Sequence, residues 1–123
     1  MNPAAPIFMS DADCDWHDVT FNRARMQRAT IFEGDYDVSS AFFKMDAGVS
    51  LGRHMHAKWV QVVVLKGEVK VEQEGTETFI AGPESVYFVH PGSTHVETAV
   101  TDSLVLITQG RSTMVTDHKA REI

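Results

Sequence analysis

Short apolar or alternating runs recur along the chain, separated by glycine, proline, aspartate or serine, and helical periodicity is nearly absent. That rhythm predicts an all-β sandwich or barrel. The runs place strands at Ala24–Phe32, Val38–Met45, Val60–Leu65, Val69–Gln73, Thr78–Ile80, Val86–Val89, His95–Val100 and Leu104–Thr108. Within Val60–Leu65 the alternation sends Val60, Val62 and Val64 to one side and Gln61, Val63 and Leu65 to the other. Both faces are largely apolar. Such a strand is covered on both sides, and an apolar outer face also suits a homodimer packed sheet on sheet.

Turn chemistry divides the runs. Glu33-Gly34-Asp35, Asp46-Ala47-Gly48, Lys66-Gly67-Glu68 and Glu74-Gly75-Thr76 each put a glycine where a tight reversal needs positive φ, and three of the four are expected to close hairpins. Pro83 and Pro91 flank Ser85–Val89, where a missing backbone donor costs least. The reading is one β-domain over residues 16–115, an arm over 1–15 and a polar tail over 116–123.

The chain has 123 residues, 43% of them hydrophobic and 23% charged, which fits one folded domain with one core and one pocket. Its net charge of −6 repels a phosphate backbone, so nucleic acid is not an expected partner. The single cysteine, Cys14, cannot form an internal disulfide, and no run reaches the ~20 apolar residues of a membrane span. The opening segment lacks the basic and apolar regions of a signal peptide. A cytoplasmic protein with neither membrane nor nucleic-acid partners is the expectation.

Four of the six histidines fall between positions 54 and 95. His54 and His56 are separated by one residue, so on an extended backbone both imidazoles project from one face. Two neutral imidazoles can take adjacent positions on a first-row divalent metal, and a stable site needs a further ligand from a distant strand. His95, after the turn Pro91-Gly92-Ser93-Thr94, is the candidate. His17 and His118 read as surface residues.

The segment GVSLGRHMHAKWVQVVVLKG, residues 48–67, resembles the first conserved motif of the cupin superfamily, with Gly48, His54, His56 and Gly67 in the matching places. The segment EGTETFIAGPESVYFVHPGSTH resembles the second motif through Pro91, Gly92 and His95, whereas His90 stands where the superfamily has a proline and Glu84 where it has a glycine. The resemblance implies a double-stranded β-helix, the cupin jelly roll. It also implies one metal inside the barrel, held by the histidines of both motifs and a carboxylate.

At the carboxylate position of the first motif this chain has Val60, which cannot coordinate. Two arrangements follow. In the preferred one His54, His56 and His95 are the only protein ligands, similar to three-histidine cupins that bind Fe(II) through imidazoles alone. In the other a bulge before Val62 turns Gln61 inward as a fourth ligand. Neutral ligands leave the metal charge uncompensated, which favours an anionic, chelating substrate such as an enolate, catecholate or hydroxy acid. Binding should weaken as pH falls towards 6.5, the ordinary imidazole value, because a protonated ring cannot ligate.

Three further residues are candidates for catalysis. His90 suits a proton shuttle near the mouth, Tyr87 a general acid if it faces inward, and Glu97 a base or outer carboxylate on the face of His95. Arg53 neighbours the histidine pair, with alternation turning it outward, and Trp59 reads as a packing residue. The function expected is a mononuclear metal-dependent enzyme on a small enolisable or anionic substrate, foremost an Fe(II) dioxygenase. A Zn(II), Ni(II) or Mn(II) isomerase, lyase or cyclase is the second reading, and a non-enzymatic binding or sensing module the third.

Overall fold

The computed structural model describes residues 3–33, 35–111 and 121–122, with nothing stated of the side chains of Asp35, Arg121 and Glu122. The strands are β1 (His17–Phe21), β2 (Ala24–Glu33), β3 (Val38–Met45), β4 (His54–Met55), β5 (Val60–Lys66), β6 (Val69–Gln73), β7 (Phe79–Ala81), β8 (Ser85–Val89), β9 (Thr94–Ala99), β10 (Ser103–Gly110) and β11 (Arg121–Glu122). They form two sheets, in the orders β1-β2-β3-β10-β5-β8 and β11-β4-β9-β6-β7. All pairs are antiparallel except β11 on β4. Two facing antiparallel sheets give the all-β jelly roll that the strand pattern anticipates. Gly34, His118 and most of the expected tail lie outside the described residues. Among the described residues no helix is long and apolar enough to cross a membrane.

The core is built by alternation. Val60, Val62 and Val64 of β5, Val69 and Val71 of β6, Tyr87 and Val89 of β8, and Val105 of β10 are buried between the sheets, joined by Met26, Met45, Leu51 and Ala99. Outward neighbours differ: Gln61 and Leu65 are exposed, and so are Val86 and Phe88 on β8. Phe88 instead stacks on Trp59 at 6.1 Å between ring centroids, which gives Trp59 its packing role.

Only two of the four glycine turns join paired strands, and Asp46-Ala47-Gly48, which leads from β3 to β4 in the other sheet, is not one of them. Lys66-Gly67-Glu68 does not close a hairpin, because β5 and β6 belong to different sheets. Gly67 carries the chain across the gap at φ +85°, where a Cβ would collide with the Asp102 carbonyl oxygen and lie 2.8 Å from Ser103 Cα. The glycine that ends the first motif is thus required by a close backbone approach. The β1–β2 hairpin, conversely, turns without glycine: Asn22 and Arg23 both take positive φ, 48° and 71°. Asparagine tolerates that region, but the sequence pattern offers no punctuation there.

Candidate metal centre

Strand pairing brings the two motifs together. β4 lies antiparallel to β9 with His54 opposite His95, and β9 lies against β6 with Val71 opposite Glu97. On β9 the period of two puts His95, Glu97 and Ala99 on the buried face. His56 follows β4 and comes inward as well, its ring 5.2 Å from those of both His54 and His95. One ligand atom from each of His54, His56, His95 and Glu97 lies within 4.8 Å of all the others. The four residues are 0%, 5%, 1% and 7% exposed, so the donors converge inside the core.

The orientation of two rings is fixed by backbone acceptors. His54 Nδ1 lies 2.9 Å from the Gly52 carbonyl oxygen and His95 Nδ1 3.3 Å from that of Ser93. A carbonyl oxygen only accepts, so both Nδ1 atoms donate and each neutral ring turns an Nε2 lone pair inward. Both Nε2 atoms point at the same atom, Glu97 Oε1, at 3.2 and 3.1 Å. An array of lone pairs around a carboxylate oxygen needs positive charge at its centre. Three nitrogens and one oxygen suit a first-row divalent cation. The residues present therefore fit the metal that the fold implies.

Glu97 is anchored from its other side, where the Tyr87 hydroxyl donates to Oε2. Burial by itself pushes Glu97 up, but when the Nε2 atoms of His54 and His95 carry protons in place of an ion, their hydrogen bonds and charge prevail and hold the carboxyl well below the ordinary carboxylate range. Burial, and then the charge of Glu97 and the bond to it, raise the Tyr87 phenol well above its usual 10.0. At neutral pH the pair is a carboxylate and a neutral phenol.

The remaining candidates fall elsewhere. Gln61 is exposed on the outward face of β5, opposite Phe88 and Thr108, and the strand keeps its register there; the irregularity in the β10–β5 ladder lies instead at Leu104 and Val105. Gln61 is thus not turned inward, and the fourth residue of the group that could hold an ion is Glu97. Beside the three imidazoles of the preferred arrangement the group includes a carboxylate: counting along the first motif looks for it on β5, whereas it arrives from β9. The signal was the spacing His95-x-Glu97, which puts both on one face. His90 is exposed, its ring edge-on to outward-facing Phe88 at 5.2 Å, away from the other imidazoles. Arg53 is exposed and lines a groove of about 340 Å³ with Thr78, Thr94, His95, Glu72 and Glu74.

Gly52 has φ +56°, which turns its carbonyl towards His54, and a Cβ there would meet Asn22 Nδ2 at 2.8 Å. Gly52→Ala is expected to destabilise the metal-free protein by about 1–2 kcal/mol, the strain of a left-handed non-glycine residue, since the amide of Asn22 can swing aside. Thermal unfolding checks this, and an unchanged midpoint would show that the backbone relaxes freely.

Residues 4–114 match the family model of the ChrR cupin-like domain. No curated protein matches the chain. Among solved structures it is similar to KdgF from Halomonas sp., with 26% identity, TM-score 0.71 and coverage of 86% of this chain and 95% of that one. An acetylacetone dioxygenase from Acinetobacter johnsonii is 20% identical with TM-score 0.75, covering 100% of this chain and 85% of that one. An RmlC-like cupin from Shewanella frigidimarina is 17% identical with TM-score 0.72, covering 88% and 93%. The last two likenesses concern the fold.

Proposed function

The chain belongs to the ChrR cupin-like domain family, and from that premise we propose that it is a mononuclear metal-dependent enzyme acting on a small enolisable or anionic oxygen donor. The observation that carries this reading is the convergence of two oriented imidazole Nε2 atoms on Glu97 Oε1, with His56 beside them. His54, His56, His95 and Glu97 would hold the ion. A bound divalent metal supplies Lewis-acid polarisation of a carbonyl or enolate and, when it is iron, a route to oxygen chemistry. An Fe(II)-dependent dioxygenase is the specific form proposed, since histidine and carboxylate donors with open positions suit ferrous oxygenases.

The protein's own residues provide the rest. The Gly52 and Ser93 carbonyls orient two rings before any ligand arrives. Burial of all four donors holds water away and strengthens each electrostatic interaction. One carboxylate against a divalent cation leaves net positive charge, which favours an anionic substrate, and Arg53 lines the groove that reaches His95.

The test is anaerobic reconstitution with Fe(II), Zn(II), Ni(II) or Mn(II), followed by enolisable diketones, catechols and hydroxy acids, with oxygen uptake and products measured. Consumption of oxygen by the iron form alone is expected. Turnover without oxygen would replace the dioxygenase with a lyase or isomerase. Thermal stabilisation by ligand without any product would leave a binding module.

A further inference from the structure

Glu97 divides its two oxygens between different neighbours. Oε1 faces His54 and His95, while Oε2 accepts the hydrogen bond of Tyr87. The phenol reaches Glu97 from β8 of the opposite sheet, with its ring 8% exposed and packed edge-on against Phe79 at 5.6 Å. A charged bond of this kind is strong and directional. We propose that Tyr87 is a positioning residue that restricts Glu97 to one-oxygen engagement of the metal, and that this selects for substrates binding through two oxygens.

The inference rests on the metal-centre reading above. Three imidazoles and one carboxylate oxygen make four protein donors, and first-row ions accommodate up to six. A carboxylate that turned both oxygens to the ion would occupy a fifth position and leave room for single-point ligands only. The Tyr87 hydroxyl donates to Oε2, and with the residue only 8% exposed, breaking that bond would leave a buried hydroxyl in need of a partner. The class of ligand favoured is therefore a small O,O-chelating anion, of which enolised diketones, catecholates and hydroxy acids are examples.

The probes are acetohydroxamate, which binds through two oxygens, and azide, which binds through one. Both are titrated into the Co(II)-loaded protein and followed by its visible absorption, for the wild type and for Tyr87→Phe, which keeps the ring and removes the hydroxyl. Acetohydroxamate should bind about tenfold more weakly to the variant, the scale of losses on removing an outer partner of a ligand, with azide changed less than about twofold. Equal effects on both probes, or none, would overturn the proposal and leave Tyr87 a packing residue. A second measurement needs no variant: infrared spectra of Zn(II)-loaded wild type carrying ¹³C-labelled glutamate should show the wide splitting of carboxylate stretches typical of one-oxygen ligation, and a narrow two-oxygen splitting would overturn it. A protein that takes up no cobalt defeats the metal-centre reading instead.

Discussion

His54→Ala and His95→Ala proteins should each emerge from purification and reconstitution without metal, whereas His90→Ala should retain about one ion per chain, as a mononuclear site requires. Both ring nitrogens of His54 and His95 are committed, Nδ1 to a backbone carbonyl and Nε2 to the converging donor set. Losing either ring removes a direct ligand, so the drop in affinity should exceed the roughly 10–100-fold typical of outer partners. His90 lies on the outer surface against Phe88 and serves as the matched histidine control. Elemental analysis after gel filtration reads the stoichiometry, with circular dichroism to establish that each variant is folded.

The same variants should separate folding from binding. Each alanine frees a carbonyl and opens a void, at a cost of about 1–3 kcal/mol in the metal-free protein. Metal at a thousandfold excess over Kd should stabilise the wild type by about 4 kcal/mol and the alanine variants scarcely at all. Acid should weaken metal binding, because protons compete for the imidazole nitrogens. Retention of metal by His54→Ala and His95→Ala at the wild-type level would show that the ion sits elsewhere.

Why could the sequence show so much of this centre and still misplace one donor? The β-branched runs and their period of two delimit β3 and β6 to the residue and β5 and β10 closely, because each strand buries one face against the facing sheet. The His-x-His pair and His95 could be joined because both lie in recognisable motifs. The carboxylate could not be assigned along one strand: Glu97 enters through the pairing of β9 with β4, a relation between positions 43 residues apart. Strand parity already aligned Glu97 with His95, but only the sheet order turns that shared face towards His54. The Gly67 crossing follows the same rule, since a glycine marks a reversal without saying whether the next strand pairs with the last or joins the other sheet.

Joint replacement of Tyr87 and Glu97 by apolar residues, Tyr87→Phe with Glu97→Leu, should abolish metal binding while costing the metal-free protein no more than about 2 kcal/mol, because removing the carboxylate spares its desolvation but also takes the partner from the His54 and His95 Nε2 atoms. Taking a carboxylate out of water costs several kcal/mol, and exchange of a buried charged cluster for apolar groups is commonly neutral or stabilising by about 1–4 kcal/mol. Glu97→Leu alone should be the less stable form. It strands the Tyr87 hydroxyl in the core at about 1–3 kcal/mol, so adding Tyr87→Phe should recover that amount, a coupling that a double-mutant cycle measures. The acid limb carries its own signature. Because the Glu97 carboxyl titrates below its unfolded value of 4.5, its stabilising contribution is present above that pH and fades as pH falls through and below it. The double variant lacks that loss, and its stability should decline less steeply in this range. A metal-free double variant destabilised by more than about 2 kcal/mol would make the cluster a structural element of the barrel; the expected outcome shows a charged core kept for the ion it holds.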